Sequence, residues 1–249
     1  MVEYNLPQEK GRDRFQWYEG RNIDQMPKLM PKLIADGRVP MNTAQLMQRR
    51  LDMRNSDEEV KSAWMGNYFD TGDAVVYHPN GRAKIVFDSE DLRNMTPSSP
   101  RNGGALVVGE DVYNALEGEE FKKGKLGKVN EIMSREDVKS HPVWKVLARD
   151  QTLLNDYTDY IFGEYQARFD NNTSLEDIRA MGVFPSSCRG DKPEMRAWYV
   201  YGLGGRSNAL GGSDLDLNDG RFVGIAPEAL SAQGKGASSI KSYGRLTGF

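Results

Sequence analysis

Two short apolar runs facing each other across a turn set the first constraint on this chain. Ala74-Val75-Val76-Tyr77 and Ala83-Lys84-Ile85-Val86-Phe87 flank His78-Pro79-Asn80-Gly81-Arg82. Asn-Gly supplies the two positive-φ corners of a tight type I′ turn, so the segment predicts a β-hairpin. Gly103-Gly104-Ala105-Leu106-Val107-Val108 reads as a further strand, and Phe222-Val223-Gly224-Ile225-Ala226 as the last one.

Helical spacing occupies much of the remainder. Val143, Leu147, Leu154, Tyr157, Ile161 and Tyr165 fall three, four and seven apart, which predicts one long helix over 142–169. Asp150 interrupts that stripe, and a buried carboxylate there requires an Arg, a Lys or a backbone donor. Asn42 or Thr43 caps a helix carrying Ala44, Met47 and Leu51. Ser56 with Glu59 reads as the capping box of the next one. Arg49, Arg50 and Arg54 crowd a face that is expected to be solvated. In the tandem Met26-Pro27-Lys28-Leu29-Met30-Pro31-Lys32-Leu33 the second proline would remove a backbone bond, so the helix is expected from Pro31 to Gly37. Asp111 to Leu116 predicts a short helix, and Thr173 or Ser174 caps another that ends at Gly182.

Strands and helices do not alternate regularly enough for a doubly wound parallel sheet. The fold class expected is α+β, with helices packed on a small, mostly antiparallel sheet. Residues 1–22 read as a polar arm, 23–230 as one domain with a break near 183–193 as the place for a subdomain boundary, and 231–249 as a flexible basic tail without acids.

Composition narrows function by exclusion. With 33 basic and 36 acidic side chains the net charge is −3, which argues against a general nucleic-acid binder. Cys188 is the single cysteine, so an internal disulfide cannot form. No apolar stretch approaches the roughly 18 residues that span a bilayer, and the start lacks the basic and apolar regions of a signal peptide. The cytoplasm is the compartment expected, with no membrane partner.

One constellation has a chemical logic. Leu203-Gly204-Gly205 is followed, eight residues on, by Asp214-Leu215-Asp216-Leu217, and the strand-like Trp198 to Tyr201 precedes it. This resembles the core motif of nucleotidyltransferase-fold enzymes. The resemblance implies that Gly204 and Gly205 bind phosphate and that Asp214 and Asp216, side by side at i and i+2 of a strand, hold Mg²⁺. A calcium loop starting at Asp214 fails, because position six is Asp219 and position twelve is Ile225. His141, just before Pro142, is a candidate functional side chain beside Asp150, although it serves most simply as a helix-entry residue. The function expected is that of a non-enzymatic intracellular interaction protein with a protein partner and no cofactor. The alternative is a Mg²⁺-dependent nucleotide-handling enzyme. The Met-rich, proline-punctuated segment at 26–34 and the polar ends motivate the first reading.

Overall fold

The computed structural model describes residues 15–18, 25–122, 124–216 and 221–226. Its spine is an antiparallel pair, β3 (Phe69–Tyr77) with β9 (Glu194–Val200). Around them runs the order β1 (Phe15–Tyr18), β11 (Arg221–Ile225), β3, β9, β10 (Ala209–Leu210), β8 (Val183–Phe184). β4 (Ala83–Val86) pairs with β3 and with β7 (Glu119–Phe121). β6 (Ala105–Val107) joins β9 to β5 (Arg101–Asn102), and β2 (Val39–Pro40) lies on β11. Among the described residues only β11 with β3 and β10 with β8 run parallel. The sheet is therefore mostly antiparallel as expected, but its eleven strands among the described residues make it large rather than small.

Period-2 alternation sorts the core onto two faces. Val75, Tyr77, Ile85 and Trp198 point to the helices α7 (Pro142–Ala148) and α8 (Gln151–Phe169), where Trp144, Leu147, Leu154 and Ile161 meet them. Ala74, Val76, Val86 and Ala197 point the other way, onto Met26, Met30 and Leu33 of α1 (Gln25–Ala35). Helices thus cover both faces rather than forming one layer. A third cluster, Phe15, Trp64, Phe69 and Val223, closes the β1 edge beneath α2 (Thr43–Asp52) and α3 (Glu58–Gly66).

The helix expected from Pro31 begins at Gln25 and runs through that proline. A proline inside a helix costs about 3 kcal/mol. Met26, Leu29, Met30 and Leu33 are all buried, and each such side chain returns roughly 1.5–3 kcal/mol, so packing wins. The 74–87 hairpin is present, pairing Ala74 with Val86 and Tyr77 with Ala83. Its turn is not type I′: Gly81 has φ +88°, Asn80 is not left-handed, and the Gly81 N–H donates to His78 O. Pro79 fixes φ at the first corner, which suits a type I turn followed by a glycine bulge.

The long helix over 142–169 is two, broken at Arg149, which adopts φ +61°. Asn42 and Gln45 form a reciprocal capping box on α2, whereas α3 starts at Asp57 without a side-chain cap, so the Ser56–Glu59 box is absent. Residues 173–182 hold turns and a bridge rather than a helix. The arm expected over 1–22 contains β1, whose Phe15 and Tyr18 are buried. The tail 231–249 lies outside the described residues. β8 and β9, on either side of the break near 183–193, belong to the same sheet.

The arginine face of α2 is also not solvated. Arg50 is wholly buried and donates to Trp64 O, Asn67 O, Tyr201 O and the Tyr157 hydroxyl. Arg49 is 7% exposed, over the Phe15 and Trp64 rings. α2 is thereby tied to α3, α8 and the turn after β9, which fixes where its N-terminus points.

Candidate functional site at the β3 bulge

Between Asp70, opposite Tyr199, and Ala74, opposite Ala197, three residues of β3 face a single residue of β9. Thr71, Gly72 and Asp73 form this bulge, and the Thr71 hydroxyl donates to Trp198 O. Bulges kink a strand and re-aim its side chains. Here the kink also marks where β3 changes partner, from β11 on one side of the bulge to β4 on the other. Gly72 sits at a close approach: a Cβ there would lie 3.1 Å from the Pro40 ring, which would have to give by a few tenths of an ångström. Its backbone ties the bulge to both neighbours, since the Gly72 N–H donates to Met41 O and the Ser89 N–H to Gly72 O.

The bulge aims Asp73 into the crevice among α2, the end of β4 and the α7–α8 junction. Its carboxylate is fully buried and accepts from Arg149 Nη2 at 2.5 Å, Thr43 N at 2.9 Å and Asp88 N at 3.1 Å. Burial pushes the Asp73 carboxyl above the usual carboxylate range, while the Arg149 charge and the Thr43 amide pull it back. Asp88 is half exposed. Its two oxygens accept from Asn42 Nδ2 at 3.0 Å and Arg149 Nη1 at 2.9 Å. The Arg149 guanidinium spreads over the Phe87 ring at 4.5 Å.

Asp88 and Arg149 both hold left-handed backbone, φ +46° and +61°. Non-glycine residues there cost of order 1–3 kcal/mol each and persist only where their surroundings over-determine them. The two strained residues are bonded to each other, and both bond Asp73. A pocket of about 180 Å³ opens beside them, walled by Val39, Pro40, Asn42, Gln45, Asp88 and Arg93. Arg93 ends α4 (Glu90–Arg93), and its guanidinium makes no hydrogen bond or ion pair among the described residues.

The residues singled out from sequence lie elsewhere. Asp150 is exposed and caps α8, accepting from Leu153 N at 2.8 Å, so it is not the buried carboxylate of the stripe. It borders a wide, open cleft of about 590 Å³ between the ends of α2 and α8, together with Asp52 and Asp156. His141 is buried, and its Nε2 donates to Lys128 O at 2.8 Å. Burial lowers its pKa, which favours the neutral ring. Gly204 and Gly205 form a single 3-10 turn beyond β9, with Gly204 exposed.

Asp214 and Asp216 do not alternate on a strand. They lie in the connection between β10 and β11, with Leu215 and Asp216 in a turn. Asp214 is held by the buried Arg196, which also donates to Gly212 O, Ser213 O and Gly103 O. Arg196 is near the start of β9 and the glycine pair follows its end, so strand and turn hold the two halves of the motif apart. The nucleotidyltransferase-like geometry is not formed. Among the described residues no group of three or more His, Cys, Asp or Glu side chains is placed to hold a metal ion.

Asp73, Asp88, Arg93 and Arg149 were missed. The one local signal was Thr71-Gly72-Asp73, a small and acidic interruption directly before an apolar run, which is what a bulge asks for.

No helix among the described residues is long and apolar enough to cross a membrane. No family model matches this chain, and no curated protein does. A solved structure described as "Accommodation of massive sequence variation in Nanoarchaeota by the C-type lectin fold" superposes with a TM-score of 0.60 at 12% identity, over 90% of this chain and 100% of that one. At such identity the likeness concerns the fold alone: this chain is built on a fold similar to that of C-type lectins.

Proposed function

We propose that this chain is a non-enzymatic interaction protein working inside the cell, and that a protein partner seats a side chain in the pocket beside the β3 bulge. The observation that carries this reading is the pairing of a small pocket with locked walls. Ligand pockets for small molecules usually hold roughly 300–1,000 Å³. At about 180 Å³ this one suits the end of one side chain. Asn42 and Gln45 are fixed by their capping box, and Asp88 by Asn42 and Arg149, so little ordering cost remains to be met on binding. A single cysteine suits a reducing compartment. The nanoarchaeal neighbour is described as accommodating massive sequence variation. A frame that tolerates changing side chains serves recognition well.

The test is to pan a random peptide display library on the full chain and rank the selected peptides on Val39→Phe, which places a ring in the pocket. Peptides whose affinity falls by about tenfold or more on the variant, with circular dichroism unchanged, are expected. Enrichment of peptides indifferent to Val39→Phe, or no enrichment, contradicts the reading.

A further inference from the structure

The bulge pocket contains one charged group, Arg93, that has no hydrogen bond or ion pair among the described residues. Asp73, Asp88 and Arg149 bond one another, and each Asp88 oxygen already accepts a hydrogen bond. Neither Glu90 nor Asp91, in its own helix, pairs with Arg93. The N-terminus of α2 has nothing to offer a ligand at Thr43 or Gln45, because the Thr43 N–H is bonded to Asp73 and the Gln45 N–H to Asn42. The apolar part of the wall is formed by Val39 and Pro40.

We infer that the pocket takes the carboxylate of a glutamate side chain from the protein partner, with Arg93 as the group that binds it; this rests on the partner-binding reading above. A cation is disfavoured, because the Arg149 guanidinium bonded to Asp88 already offsets its negative charge. A carboxylate meets a planar fork of donors unpaired among the described residues, the geometry in which arginine binds it through two parallel hydrogen bonds. The methylenes of glutamate lie against Val39 and Pro40, a contact that an inorganic anion cannot make. That contact favours a side chain over free phosphate as the source of the negative charge.

The experiment is a titration of the ¹⁵N-labelled full chain with N-acetyl-glutamate N-methylamide, its glutamine counterpart and inorganic phosphate. The glutamate probe is expected to shift the Asn42, Gln45 and Arg93 amides and the Arg93 Nε–H. The glutamine counterpart is expected to bind about tenfold more weakly, the loss of one charge-assisted contact. Arg93→Gln, on the protein surface and outside the Asp73 network, should fold normally and lose the shifts. Equal binding of the glutamine probe, shifts by phosphate of the same size, or an unaffected Arg93→Gln would overturn the inference.

The two ideas fail separately. Panned peptides that need the pocket but ignore Arg93→Gln leave the partner reading standing and remove the carboxylate. A glutamate probe that binds at Arg93 when no peptide depends on the pocket does the reverse.

Discussion

Arg50→Met is expected to cost about 4 kcal/mol or more in chemical denaturation, the largest effect of any single change considered for this chain. Methionine fills much of the volume but leaves Trp64 O, Asn67 O and Tyr201 O without donors in a dry interior. Each unsatisfied buried carbonyl costs about 1–3 kcal/mol. Arg50→Lys recovers little, because one ammonium on a flexible stem cannot reproduce a planar fork that reaches four acceptors. An Arg50→Met protein with stability within about 1 kcal/mol of the parent would mean that these bonds do not hold α2 in place. The consequence reaches the candidate site, since α2 delivers Asn42, Thr43 and Gln45 to the bulge crevice.

Asp73→Ala is expected to follow at about 3 kcal/mol, toward the low end for breaking a buried ion pair because Arg149 is 28% exposed. The change strands the Thr43 and Asp88 amides and leaves two left-handed residues without the carboxylate that joins them. The same group sets a pH dependence. Its folded-state pKa is raised, so the stability linked to its titration is fully present below the ordinary carboxyl range and is lost as pH rises through the folded value, while its bonds to the Thr43 and Asp88 amides remain. Asp73→Asn keeps the shape without the titration. Its stability profile is expected to lie flatter than that of the parent between acid and neutral pH, as read from denaturation midpoints. A parent profile that climbs over that range while the variant's does not would give Asp73 a lowered pKa and reverse the assignment.

What the sequence made legible follows local chemistry. The 74–87 hairpin, the α2 cap at Asn42 and the strand at 222–226 depend on neighbours within a few residues, and each is present in the fold. The break at Arg149–Asp150 was legible only in part. A polar pair in an apolar stripe signals trouble, yet which member turns inward depends on the left-handed turn of Arg149, which no periodicity encodes. Asp150 faces solvent and caps α8, while Arg149 reaches a carboxylate 76 residues earlier in the chain.

The candidate site was illegible for the same reason. Its parts come from β2, α2, β3, the end of β4, α4 and the α7–α8 junction, and only the large sheet brings them together. The buried arginines were misplaced because a charge cluster on a helix is usually solvated. Arg50 escapes that rule by finding three carbonyls and a hydroxyl across three separate elements. The Gly204-Gly205 and Asp214-Asp216 pairing had the reverse fault: short spacing in sequence suggested convergence, and the geometry of β9 keeps the two apart.

On the reading proposed above, a partner enters at the bulge pocket. Amide hydrogen exchange on the full chain, with and without a saturating panned peptide, tests it most directly. Protection concentrated in residues 39–45 and 88–93 is the result expected. Protection that instead falls on residues 48–55 and 150–156, around the wide acidic cleft, would contradict it and move the recognition face to the other end of α2.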